Sequence, residues 1–174
     1  YRRQRQMCIR DRYPLEDTVA AFHQLVEDGK IRYWGVSNFD HRALADLQDV
    51  PGSGGLATDQ VLYNLSRRGP EYDLLPWCAD HQLPVMAYSP IEQGRILHDT
   101  TLNDVAARHS VSPAAAALAW VLRRDSLCTI PKASSPQHVR DNATALDVEL
   151  TREDLDALDR AFPPPSGPRP LEML

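Results

Sequence analysis

Polar side chains collect at four places where short apolar runs end. Val36 is followed by Ser37 and Asn38, and Gln60 lies in the run Thr58–Tyr63, which leads into Asn64. Tyr88 and Ser89 close the run that starts at Leu83, and Lys132 follows Leu127–Ile130 and Pro131, with Ala133, Ser134 and Ser135 beyond it. Hydroxyl and amide groups around an aromatic face suit a flat heteroaromatic amide, which offers donors and acceptors at its edge and a π-face to stack on. A lysine and hydroxyls delivered to the start of a helix suit a phosphate, because the first amides of a helix lack partners and its dipole favours negative charge. Each group also has an ordinary structural reading. Ser37-Asn38 reads as a turn that caps a helix, Gln60 as a satisfied buried amide, Tyr88 as core, and Lys132–Ser135 as a solvated loop with a serine cap.

The elements that must position these groups follow from periodicity. Leu15, Val19, Phe22 and Val26 fall on one face of a helix, and Gly29 stops it. Ile31–Val36 is β-branched and aromatic and reads as a strand. Asp40 caps a helix to about Leu47, and a loop rich in glycine spans 51–55. Thr58–Tyr63 is the second strand, Tyr72–Gln82 a helix, and Leu83–Tyr88 the third strand, broken at Pro90. Thr101-Leu102-Asn103-Asp104 opens another helix with a cap-like Thr. Ser112-Pro113 starts a helix over 114–124 that is apolar nearly all round and therefore buried. Leu127–Ile130 is the fourth strand, followed by a helix to about Leu146. A last helix begins at Thr151, faces Leu155, Leu158 and Phe162 inward, and ends at Pro163. Short strands alternating with longer helices imply a parallel sheet with right-handed crossovers, either doubly wound or a (β/α)8 barrel. No G-x-G-x-x-G follows a strand, which counts against a Rossmann unit. In a barrel the functional groups sit at the C-terminal strand ends.

Composition narrows the partners. The 174 residues carry a net charge of −5, which argues against nucleic acid or an anionic membrane surface. No apolar run is long enough to span a membrane. Cys8, Cys78 and Cys128 are widely spaced and contain no CxxC, which fits a reduced, cytoplasmic setting and gives no support to a metal site. Residues 1–12 hold five arginines and few apolar positions. They read as a basic arm or, better, as a non-native segment of the translated-adapter kind, and are set aside from the fold.

Taken together, Gly35-Val36-Ser37-Asn38-Phe39, Gln60-Val61-Leu62-Tyr63-Asn64, Ala87-Tyr88-Ser89-Pro90 and Ile130-Pro131-Lys132 with Asn142 resemble the signatures of the aldo-keto reductases. Order and spacing match from about Leu15 to Pro165, and Arg67–Cys78 resembles the bacterial methylglyoxal and aldehyde reductase branch. The resemblance implies an α/β chain forming the C-terminal half, strands 5 to 8, of a (β/α)8 TIM barrel. Residues 13–165 would be a partial NADP-dependent oxidoreductase domain and 166–174 a tail. The family reduces aldehyde and ketone carbonyls to alcohols with NADPH, so the partner implied is a small-molecule carbonyl, and the complete protein would be a monomer or weak homo-oligomer.

Roles follow residue by residue from the same resemblance. Ser37, Asn38 and Gln60 would bond the nicotinamide carboxamide, and Tyr88 would stack on its ring. Ser89, Ile91 and Gln93 would lie along the pyrophosphate, largely through backbone groups. Lys132 would pair with the 2′-phosphate, supported by Ala133 and Ser134, and Asn142 would bond the adenine beside Asp141. His138 stands where many NADPH-preferring members carry arginine, so preference for NADP(H) rests mainly on Lys132. The Asp, Tyr, Lys and His that carry proton transfer in this family belong to its first four strands, and no motif of this chain matches them. A chain without catalytic turnover is therefore expected. A non-catalytic, nucleotide-binding regulatory subunit of the same fold is the alternative, and a βα domain that binds no nucleotide is a third reading.

Overall fold

A computed structural model describes residues 13–174. The arginine-rich segment at residues 1–12 lies outside the described residues.

Helix α1 (Leu15–Glu27) buries Val19 and packs Leu15 and Phe22 against the core, whereas Val26 is exposed. Gly29 ends it at φ +68, where a left-handed residue is needed. The Gly29 N–H donates to Val26 O at 2.9 Å, and Lys30 N–H to Leu25 O at 3.0 Å, a Schellman closure. The Ile31 N–H also turns back to Leu25 O, at 3.3 Å. With those amides spent on the helix, strand β1 starts at Trp34 (Trp34–Ser37) rather than at Ile31. Asp40 caps α2 (His41–Gln48) by accepting from Ala43 N–H at 2.8 Å.

Strand β2 (Leu56–Leu62) is followed by a short 3-10 turn and α3 (Leu74–Asp80). Strand β3 (Val85–Tyr88) leads through the 3-10 segment Glu92–His98 to α4 (Thr100–Arg108) and α5 (Pro113–Leu122). Strand β4 (Leu127–Thr129), α6 (Pro136–Ala143) and α7 (Arg152–Ala161) complete the order. Several boundaries differ from the periodicity. Helix α3 is shorter than 72–82, and β4 stops at Thr129. Strand β3 starts at Val85 because the Leu83 N–H closes α3 on Cys78 O at 2.9 Å. The cap of α4 is Asp99, which accepts from Leu102 N–H at 3.0 Å, because a carboxylate two residues earlier outcompetes the Thr101 hydroxyl. The helix after β4 tightens into a 3-10 turn at Thr144–Asp147.

All four strands are parallel and neighbours in sequence order, β1-β2-β3-β4. Successive side chains of a strand point to opposite faces. One face, with Val61, Val85 and Ala87, is buried under the helices and meets Trp120, Leu102 and Leu74 in the main core. The helix that dominates this layer is α5, buried continuously from Ala115 to Val121 as its composition required. The other face carries Gln60, Met86 and Tyr88, all half-buried.

Two polar clusters tie the helices together. Behind β2, the guanidinium of Arg68 donates to both oxygens of Glu71 (3.0 and 2.9 Å) and to Asp159 of α7 (2.7 Å). Tyr63 donates to the same Glu71 at 2.8 Å. At the other end of α7, the buried Asp154 closes a capping box with Thr151 and accepts from Arg108 (2.9 and 2.6 Å) and pairs with His109 (2.8 Å). Burial works against this carboxylate, but hydrogen bonds from His109, Thr151 and Arg108 hold its pKa well below the usual value.

Two outcomes follow. A Cβ added at Gly35 would sit 2.6 Å from the Thr58 carbonyl oxygen, at the point where the β1–β2 register shifts. Gly35→Ala gains at most about 1 kcal/mol from the unfolded chain. It costs about 2 kcal/mol in overpacking against backbone, so the urea midpoint falls. Asp154 has its pKa depressed in the folded state, so its contribution is present above the unfolded value of about 4 and lost as pH falls below it. Asp154→Asn lowers stability by about 2 kcal/mol at pH 7, and the gap to the parent narrows in melts recorded below about pH 3.

Candidate active-site face

The inner face of the sheet is built by register. Ser37 lies opposite Gln60, and Gln60 opposite Met86, so three strands place these side chains in one row. The Ser37 hydroxyl donates to Gln60 O at 3.0 Å, and Asn38 Nδ2 donates to Ser37 Oγ at 3.2 Å. Asn38 holds φ +57, a left-handed conformation that Asn tolerates, and its N–H donates to Gln60 O at 2.9 Å. Its side-chain Oδ1 is buried and has no hydrogen-bond partner. Gln60 Nε2 reaches only the Met86 sulfur, at 3.0 Å, a weak acceptor. An unpaired acceptor and an under-used donor thus stand side by side, at a site where burial makes unmet polar groups costly.

Tyr88 lies opposite Leu62, one row further towards the strand ends. Burial raises its phenol pKa, while a backbone hydrogen bond from Leu174 works the other way. The segment after it is unusual in its backbone. Ser89 (φ +50), Glu92 (+48) and Gln93 (+57) are left-handed non-glycine residues, followed by Gly94 at +88. Each non-glycine residue in that region costs on the order of 1 kcal/mol or more.

What offsets this cost is a polar cluster that periodicity alone did not reveal. Asn64, fully buried, donates to Ser89 O (2.9 Å) and Glu92 Oε2 (2.8 Å), and its Oδ1 accepts from Ser66 and Arg67 N–H (2.9 and 3.0 Å). Glu92 Oε1 receives Arg67 through Nε (3.1 Å) and Nη2 (3.0 Å), and Arg95 at 2.9 Å. The signal in the sequence was available: Arg67, Glu92 and Arg95 are charges placed within a few residues of two strand ends. Arg67 also binds Glu172 at 2.8 Å, which draws the C-terminal segment over this edge. A cavity of about 380 Å³ lies there, between Leu62, Ser66 and the segment Arg169–Glu172.

The remaining expected residues form a second group beyond β4. Ser135 caps α6 by accepting from His138 N–H at 3.2 Å. Ser134 Oγ lies 3.3 Å from His138 Nδ1. Lys132, Ser134 and His138 are exposed, whereas Ala133, Asp141 and Asn142 are half-buried. Lys132 makes no ion pair among the described residues. Direct hydrogen bonds join Ser37, Asn38 and Gln60, and register adds Tyr88; Ile91 and Gln93 lie on the loop next to it. The Lys132 group is linked to them through the end of β4, just beyond which the Ile130 N–H donates to Ala87 O at 3.3 Å. Among the described residues no cluster of three or more His, Cys, Asp or Glu could hold a metal ion, and no helix is long and apolar enough to cross a membrane. Burial pushes the Cys78 thiol up to about 12, with the charge of Asp59 adding to it, so this buried thiol is not a nucleophile.

Known proteins share this arrangement. The Aldo/keto reductase family profile matches residues 8–162, so it takes in the end of the segment set aside above. A methylglyoxal reductase of Escherichia coli, YeaE, is 47% identical over 167 residues, covering 93% of this chain and 59% of its own. An aldo/keto reductase of Klebsiella pneumoniae crystallised with NADP and acetate is 46% identical with a TM-score of 0.90, over 92% of this chain and 59% of that one. A second Klebsiella pneumoniae structure, in complex with NADPH, has a TM-score of 0.88 at 46% identity, over 93% of this chain and 59% of that one. NADP(H) is the nucleotide of both structures, and it is the cofactor expected from the family signatures. The chain spans 59% of the length of these relatives. A parallel sheet with these strand ends, matched by the family profile over most of its length, places the chain in the aldo/keto reductase family, beside the bacterial methylglyoxal reductases.

Proposed function

We propose that this chain is the NADP(H)-binding portion of a carbonyl reductase, strands 5 to 8 of its (β/α)8 barrel, acting on small aldehydes or ketones in the cytoplasm. The observation that carries the proposal is the pair at the sheet's inner face. The buried, partnerless Asn38 Oδ1 accepts the carboxamide N–H of the nicotinamide, and Gln60 Nε2 exchanges a thioether for the carboxamide oxygen. Ser37, already committed to Gln60 O, holds Asn38 in place. The side chain of Tyr88 provides the stacking surface, and the Leu174 contact on its hydroxyl leaves with ring binding.

Lys132, exposed and without an ion pair, meets the 2′-phosphate next to Ala133 and Ser134, and Asn142 with Asp141 meets the adenine. The relatives crystallised with NADP and NADPH support this choice of nucleotide. When bound, the reduced nicotinamide supplies the hydride. The chain's own residues bind it, choose the ring face presented and exclude water from it. The groups that protonate the carbonyl oxygen in this family are not among the motifs matched here, so the 174-residue chain binds nucleotide without turning over carbonyl substrate.

Titration with NADPH quenches the intrinsic Tyr and Trp emission and raises the cofactor's own fluorescence. Lys132→Met weakens NADPH about tenfold, the worth of one charge-assisted contact, and leaves NADH within about twofold. Gln60→Ala weakens both. Unchanged emission at millimolar NADPH would reject the nucleotide site altogether. Steady NADPH oxidation with methylglyoxal that Gln60→Ala abolishes would reject the absence of turnover.

A further inference from the structure

Glu92 is a buried carboxylate, its side chain only 4% exposed, in a loop expected to lie along an anionic pyrophosphate. A negative charge there opposes the ligand unless it serves the loop itself. Its partners show what it serves. Oε2 is held by Asn64 at 2.8 Å, and Oε1 by Arg67 at 3.1 and 3.0 Å and Arg95 at 2.9 Å. Burial alone would favour the neutral acid, but hydrogen bonds from Arg67, Asn64 and Arg95 keep its pKa below the usual value and the group ionised.

Asn64 uses its second amide hydrogen on Ser89 O at 2.9 Å, so one buried side chain grips both ends of the turn Ser89–Glu92. The Glu92 N–H closes that turn on the same oxygen, again at 2.9 Å. Passing from Ile91 (φ −111, ψ 21) to left-handed Glu92, Gln93 and Gly94 turns the backbone sharply back on itself, with the Gly94 N–H donating to Ile91 O at 2.8 Å. That backbone is unfavourable on its own and exists in the apo chain because the cluster enforces it. With Glu172 also on Arg67, two guanidiniums balance two carboxylates, so the Glu92 charge is neutralised within the cluster.

We infer that Asn64 and Glu92, clamped by Arg67 and Arg95, are positioning residues that preset the Ser89–Gly94 backbone for the dinucleotide's pyrophosphate. The inference rests on the NADP(H) reading and goes beyond it, since it assigns the Asn64 and Glu92 side chains a role through the loop backbone rather than on the nucleotide.

The test compares three ligands on the 174-residue chain and its Glu92→Gln variant: NADPH, 2′-phosphoadenosine diphosphoribose, and adenosine 2′,5′-bisphosphate. The first two carry the pyrophosphate bridge and the third lacks it. Glu92→Gln weakens the first two about tenfold and the third less than twofold. Arg95→Ala, a change at a half-exposed side chain, weakens the same two by two- to threefold and keeps the parent's melting temperature within a few degrees. Equal loss for all three ligands would show a general structural defect and overturn the inference, as would unchanged binding of all three. If Glu92→Gln does not fold, Arg95→Ala alone decides by the same ligand pattern. Failure of the parent chain to bind any of the three overturns the NADP(H) reading, and this inference with it.

Discussion

The side-chain alternation of β2 is the constraint on which the rest of the molecule depends. Asp59, Val61 and Tyr63 go to the helical layer, where all three are buried, and Gln60 and Leu62 go to the other face. Shifting that strand by one residue would bring the Gln60 amide into a layer closed by Trp120, Leu102 and Leu74, and would turn Val61 out of it. The same register seats Ser37 and Met86 on either side of Gln60 and Tyr88 beside Leu62. Packing of the helical core therefore fixes the order of polar groups on the inner face. Gly35 belongs to this constraint, because only a residue without Cβ lets β1 approach the Thr58 carbonyl where the ladder shifts.

Charge plays two different parts on the two sides of the sheet. Behind β2, Arg68 lies against Trp120, 5.0 Å from the ring centroid, while its fork grips Glu71 and its remaining donor reaches Asp159 and Phe162 O. Every polar atom of that fork has a partner, so burial there costs little and α7 is locked to the loop after β2. In front, Asn38 and Gln60 are left short of partners, and Lys132 stands free in solvent. Unmet polar atoms occur behind the sheet as well, at Trp120 Nε1 and Arg124 Nε, but in front they fall on neighbouring residues of one hydrogen-bonded row. Unmet groups cost stability in the free chain and return it on binding.

Much of this was legible in the sequence, for physical reasons that differ by element. The continuous apolar run of α5 admits only a buried helix, and its residues 115–121 are all buried. Asp40 and Ser112 cap where side-chain oxygens precede helical periodicity, accepting from Ala43 and Ala115 N–H. The polar residues at the strand ends could be singled out as candidates because a parallel βα order puts functional groups there. What escaped was the outcome of local competitions that periodicity does not rank, and whatever depends on partners distant in the chain. Asp99 displaced Thr101 as a cap by a local competition between two acceptors. The loss of Ile31 from β1 follows from a helix closure that spends its amide. The Glu92 cluster joins positions 64, 67, 92 and 95, and no local pattern distinguishes a buried carboxylate from a solvated one until the loops are brought together.

The two ends of the expected nucleotide path differ in how much order they already have, and this bears on how binding energy is distributed. The pyrophosphate loop is held by a fully bonded buried cluster, and the carboxamide row by a hydrogen-bond chain from Asn38 through Ser37 to Gln60. Neither has rotamer freedom to lose, so contacts there contribute close to their full value. Lys132 is a long, exposed side chain, and immobilising such a group costs about 1 kcal/mol. A charge-assisted bond to phosphate exceeds that by a modest margin. On the proposed reading, the preordered end would supply most of the affinity shared by NADPH and NADH, and the exposed end the difference between them. His138 sits at that exposed end, held only by a 3.3 Å contact to Ser134, where a fixed guanidinium would have added a second phosphate partner. On the proposed reading, discrimination against NADH would depend on a single exposed cation, and it would be the property of this site most exposed to ionic strength.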